Sequence, residues 1–127
     1  TTRGAKVASD STPMLKGTVD LLIMRALASQ PTHGYGVMRW IEHTTGATLQ
    51  VDEGSLYPAL YRLEDRGFVE SEFGVSENNR RARFYRLTRE GRAQLKIDTS
   101  EFLRFARAML VALDVPGGAA IPPVSSP

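Results

Sequence analysis

The sequence predicts a mainly α fold with a small β-ribbon: a winged helix-turn-helix domain that carries a long C-terminal dimerisation helix. Three observations lead there. Three helical apolar patterns follow one another, two β-rich runs around a polar turn come directly after the third, and a last helical pattern outruns the body it would pack on. That element order places the third helix where a winged helix-turn-helix meets the DNA major groove, and the ribbon where it follows the backbone.

The expected units are a disordered tail over 1–13, the winged domain over 14–87, the final helix over 88–113 and a second disordered tail over 114–127. Both tails are small, polar or rich in Pro and Gly, and bury too little apolar surface to offset their ordering entropy. In the first helix Leu15, Val19, Leu22, Ile23, Ala26 and Leu27 recur at steps of three and four, up to the breaker "QPTHG". The second carries Val37, Trp40 and Ile41 and stops at "TTG", after which "TLQV" is expected to pair as a short strand.

The third helix sets Leu56, Ala59, Leu60 and Leu63 on one face and ends at Gly67, a residue suited to the left-handed position past a helix end. Its start is open between two caps. With Ser55 as cap, Pro58 is the third helical residue and loses nothing; with Asp52 as cap, it costs a bond and kinks the first turn. Phe68 to Phe73 and Arg83 to Leu87 then read as strands joined by "GVSENNRRA". Thr88 is the expected N-cap of a final helix roughly 39 Å long at 1.5 Å per residue.

Composition narrows the functional classes. A chain of 127 residues with 42% hydrophobic and 24% charged residues fits one globular domain. The net charge of +2 decides little, so the distribution of charge matters more. There is no cysteine, which excludes disulfides, thiolate zinc sites and cysteine nucleophiles. With no apolar run of membrane-spanning length, a soluble, cytoplasmic protein is expected, with no membrane partner. His33 and His43, the only histidines, have no tight acidic cluster to complete a metal site. No catalytic constellation is present either, and no cofactor is expected.

The candidate DNA-binding residues follow from the helical wheel. Gly54, Pro58, Tyr61 and Arg62 lie opposite the leucine face with Ser55 and Tyr57 on its flanks. Small residues at the helix start permit close approach, free N–H groups there suit phosphate, and hydroxyls and a guanidinium supply donors. Asp65 on the same face limits contact to the first two turns. The plainer reading, in which Tyr57 and Tyr61 are half-buried core edges, stays open. Arg80, Arg81 and Arg83 would form a basic wing, against acidic Glu64, Asp65, Glu70 and Glu72 nearby. Lys16 and Tyr35, each at a helix start, are further phosphate candidates.

On the final helix Phe102, Phe105, Ala106, Met109, Leu110 and Leu113 make a wider apolar stripe than one small body can cover, so a second copy is the expected partner. These aromatic and Met side chains read first as interface core and only second as the lining of an effector pocket.

"HGYGVMRWIE", "EGSLYPALYRLEDRGFVES" and "RRARFYRLTREGRAQL", in that order and at these separations, resemble the PadR family of transcriptional regulators over about residues 14 to 96. The resemblance implies a homodimeric repressor on an operator in double-stranded DNA, joined through the final helix and often released by a small-molecule effector. It also implies that His33 fixes the turn before Gly34. Some members stack planar drugs on a tryptophan of the final helix, but that helix has none here; the only tryptophan is Trp40. An alternative from another class is a winged helix that binds protein instead of DNA. Such a module would not need the basic wing.

Overall fold

The computed structural model describes residues 17–114, so the expected tails, Leu15 and the candidate Lys16 fall outside the described residues, Asp114 excepted. The elements run α1 (Thr18–Ser29), β1 (Thr32–His33), α2 (Gly34–Thr44), α3 (Glu53–Asp65), β2 (Val69–Val75), β3 (Arg81–Leu87) and α4 (Arg89–Ala112). The strands form one antiparallel sheet in the order β1-β3-β2. This is the mainly α architecture with a small ribbon that the sequence predicts.

The core lies where the apolar faces of α1, α2 and α3 meet the base of the ribbon. Ile23, Met24, Leu27, Val37, Ile41, Leu56, Leu60, Leu63 and Val69 are almost completely removed from solvent. Burying each side chain of this size contributes about 1.5–3 kcal/mol. Three helices present apolar stripes at the helical period, and the ribbon closes them from one side with Val69, Tyr85 and Leu87.

Three boundaries differ from expectation. Residues 48–51 form no strand. Instead Thr45 Oγ1 accepts from the Leu49 N–H at 3.1 Å and donates to the Ile41 carbonyl at 2.8 Å, which folds the segment into a loop. Gly46 and Ala47 turn it through positive φ, and Val51 plugs the core. Local side-chain bonds thereby take the place of a strand partner. The third strand comes out of the predicted breaker, where Thr32 pairs with Tyr85 and His33 with Phe84. Two residues are too few to show a period in sequence.

The start of α3 is settled by Asp52, whose Oδ1 accepts from the Ser55 N–H at 2.9 Å. Pro58 is therefore the sixth residue of α3 and has no N–H to offer the Gly54 carbonyl. The ribbon is longer than predicted, with Val75 opposite Arg81, so Gly74, Val75, Arg81 and Ala82 are strand and only 76–80 turn. In that turn Asn79 takes φ +59, which Asn tolerates better than most residues.

Thr88 caps α4 as expected, its Oγ1 accepting from the Gly91 N–H at 3.0 Å. At 24 residues the helix spans about 36 Å. Gly91 is buried where any side chain would overlap the Phe68 carbonyl, which lets the helix start lie against the base of the ribbon. Further along, Phe102, Phe105, Met109 and Leu113 are exposed, while Ala106 and Leu110 are half-buried.

Candidate nucleic-acid interface

Burying Leu56, Ala59, Leu60 and Leu63 turns the rest of α3 outward, so Gly54, Ser55, Tyr57, Pro58, Tyr61 and Arg62 are all exposed. Tyr61 is 72% exposed and stands clear of the body. Tyr57, at 44%, turns back so that its hydroxyl lies against Gly34, 2.6 Å from where a Cβ would sit there. The half-buried reading therefore fits Tyr57 in part and Tyr61 not at all.

Two expectations about this helix are revised. The start is not a set of free N–H groups, because the Asp52 carboxylate occupies the Ser55 N–H and Glu53 follows it in the first turn. A phosphate there would meet two carboxylates, so the accessible part of the face begins with the hydroxyls of Ser55 and Tyr57. Arg62, for its part, donates from Nη2 to Asp20 Oδ1 on α1 at 2.9 Å, so its charge is already shared.

Strand alternation gives the ribbon two unlike faces. Glu70, Glu72, Phe84 and Arg86 share one, where the Arg86 Nε donates to Glu70 Oε2 at 2.7 Å. Val69, Ser71, Phe73 and Val75 share the other with Leu87, Tyr85, Arg83 and Arg81. That second face packs on the core at its base, where Val69, Tyr85 and Leu87 are buried. Further out it becomes cationic: the Arg81 and Arg83 guanidinium groups lie 4.3 and 4.8 Å from the Phe73 ring centre. Exposed Phe73 thus serves as a platform that holds two arginines in place. Arg83 is further tied by a 2.8 Å bond to Ser71 Oγ.

His33 joins the ribbon to α2. Its Nδ1 accepts from the Gly36 N–H at 3.1 Å and so caps the helix, which agrees with the role that the motif implies. Nε2 then carries the ring proton and donates to Glu77 Oε1 in the ribbon turn at 3.2 Å. The Glu77 carboxyl is held below its usual pKa range, first by its own backbone N–H and next by this bond from His33. Beside it Tyr35 is 57% exposed, with the Arg39 guanidinium 5.7 Å from its ring centre.

Tyr35, Tyr57, Arg80, Arg81 and Arg83, five of the eleven predicted contacts, line one cleft between the start of α2, the side of α3 and the ribbon. Tyr61 and Arg62 are exposed further along α3. Sequence reasoning missed Asp20, Phe73 and Glu77 as partners of these groups. Only the register and the packing of α1 on α3 put them there. Among the described residues no group of three or more His, Asp or Glu could hold a metal ion, and no helix is long and apolar enough to cross a membrane. The face shared by Phe102, Phe105 and Met109 lies on α4, and Phe102 and Phe105 line a separate groove with Leu21 and Met24 of α1.

The family model described as "Transcriptional regulator PadR-like family" matches residues 23–97. A transcriptional regulator of Mycobacterium tuberculosis is 34% identical over 96 residues, which are 75% of this chain and 85% of that protein. Among solved structures, a transcriptional regulator from Clostridium thermocellum superposes with a TM-score of 0.67 at 30% identity, covering 74% of this chain and 88% of its own. Bacillus subtilis PadR, solved in complex with operator DNA, shares the fold at 21% identity and a TM-score of 0.56, over 65% of this chain and 45% of its own.

Proposed function

This chain belongs to the PadR-like family of transcriptional regulators, and from that premise we propose that it is a cytoplasmic, homodimeric repressor. It binds an inverted-repeat operator with α3 in the major groove and the cationic face of the wing on the flanking backbone. The observation that carries this reading is the single cleft lined by Tyr35, Tyr57, Arg80, Arg81 and Arg83. Tyrosine hydroxyls and guanidinium groups on one concave surface suit phosphates and base edges.

In this reading Gly54 and Pro58 keep the outer side of α3 slim. Ser55, Tyr57 and Tyr61 offer hydroxyls to the groove, Arg62 marks its limit, and Lys16 and Tyr35 take backbone phosphates. Arg80 and Arg81 at the wing supply most of the long-range attraction. Two copies joined through Phe102, Phe105, Ala106, Met109, Leu110 and Leu113 place two α3 helices on successive major grooves about 34 Å apart. A small-molecule effector acting at the groove between α1 and α4 would shift the two readers relative to each other.

The test is fluorescence anisotropy with a labelled duplex taken from upstream of the protein's own gene. The wild type should bind with steep salt dependence, Tyr57→Phe and Arg62→Ala should weaken it, and joint charge reversal of Arg80 and Arg81 should abolish binding with the circular dichroism spectrum unchanged. Full affinity in the reversed protein would reject the wing assignment. It would favour a module that binds protein instead.

A further inference from the structure

We propose that His33 is a positioning residue for DNA binding: one imidazole holds the wing turn at a set distance from the start of α2. This rests on the DNA-binding reading above. The two ring nitrogens serve two different elements, Nδ1 the Gly36 N–H of α2 and Nε2 the Glu77 carboxylate of the turn over 76–80. The ring is itself held at its root, because the His33 backbone in β1 pairs with Phe84 of β3 and the two rings meet edge to face with their centres 5.3 Å apart.

The turn needs such a strut. Its backbone bonds are internal, from the Ser76 N–H to the Arg80 carbonyl at 2.7 Å and from the Asn79 N–H to the Ser76 carbonyl at 2.9 Å. A two-stranded ribbon that has left the core is weakly ordered by itself. Beyond Tyr85 and Val69 no strand residue of the ribbon is fully buried: Ser71, Gly74, Ala82 and Phe84 are half-buried and the others exposed, so core packing holds the tip only weakly. Yet Arg80 ends that turn and Arg81 follows it, and their use depends on where the tip is held. Each unordered degree of freedom at the wing would have to be fixed on binding, at the expense of affinity.

The residue type fits this double task. Ser, Asp or Asn caps a helix as well as His does, but ionised Asp has no donor, and the Ser hydroxyl and the Asn amide are shorter than an imidazole, whose second nitrogen lies across the ring from the cap. A histidine does both with one rigid ring. Since Glu77 is at the surface, the tie contributes little to global stability and acts on geometry.

The experiment separates cap from tie. His33→Asn keeps a good cap and removes the reach to Glu77. Glu77→Gln keeps an acceptor for Nε2–H, whereas Glu77→Ala removes it at the same net charge. Backbone ¹⁵N relaxation should show lower order at 76–80 in His33→Asn and Glu77→Ala, with Glu77→Gln close to wild type. On the labelled upstream duplex, Glu77→Ala should bind about three- to ten-fold more weakly than Glu77→Gln. Equal wing order and equal affinity for the two Glu77 variants would overturn the proposal, whether or not His33→Asn folds. The relaxation measurement needs no DNA, so it decides the tie even if the wild type binds no duplex.

Discussion

Arg62 Nη2 lies 2.9 Å from Asp20 Oδ1, joining the last turn of α3 to the first turn of α1 on the side where α3 would meet DNA. The pair is open to solvent on the Arg62 side, so its net stabilisation is small, on the order of 0.2–1 kcal/mol. Asp20→Asn should therefore melt within a few degrees of wild type. It frees a cation beside the groove face, and the slope of log affinity against log salt should steepen by up to about one. An unchanged slope in anisotropy titrations over a salt series would place Arg62 away from phosphate.

Gly34 and Gly91 both lack room for a side chain but should respond differently to alanine. At Gly34 the obstacle is the tip of Tyr57, a half-exposed side chain that can swing aside. Gly34→Ala should cost less than about 1 kcal/mol of stability and show its effect in DNA affinity through a displaced phenol. At Gly91 the obstacle is the Phe68 backbone carbonyl, which cannot move without opening the seam between α4 and the ribbon. Gly91→Ala should lose about 2–3 kcal/mol in urea unfolding.

Thr88 Oγ1 accepts from the Gly91 N–H and donates to the Gly67 carbonyl at 2.7 Å, so one hydroxyl closes both the α4 cap and the turn after α3. Thr88→Ala should cost about 1–2 kcal/mol, and Thr88→Ser should recover most of it. Chemical denaturation of the two variants beside wild type measures the difference. Equal stability for all three would mean that water replaces both bonds.

Phe105 is 53% and Leu113 63% exposed on the single chain, a large apolar area to leave in water. If the second copy covers it, Phe105→Glu should bury a charge in that seam and shift the protein from dimer to monomer in sedimentation velocity. Its α1 to α3 core, which Phe105 does not join, should keep its spectrum. A variant that sediments as the wild type would remove α4 from the interface.

What could be read in advance depended on periodicity and on local chemistry. The leucine faces of α1 and α3, the Thr88 cap and the Gly67 stop each follow from a few neighbouring residues, and the structure agrees with them. The two-residue β1 could not be seen, since Thr32 and His33 become a strand only by adding to the edge of β3. "TLQV" misled for the converse reason: its β-branched residues suit a strand, but Thr45 satisfies the loop locally and no edge is offered to it.

The site divides along the same line. The residue types that suit DNA, tyrosines and small residues outside α3 and arginines on the ribbon, were determined by the sequence, because the leucine face dictates what points outward. The partners of those residues were decided by tertiary structure. Asp20 holds Arg62, Phe73 supports Arg81 and Arg83, and His33 reaches Glu77 across 44 positions of chain. Periodicity tells which side of one element faces out, but only strand register and helix packing determine which outward groups come within bonding distance of one another.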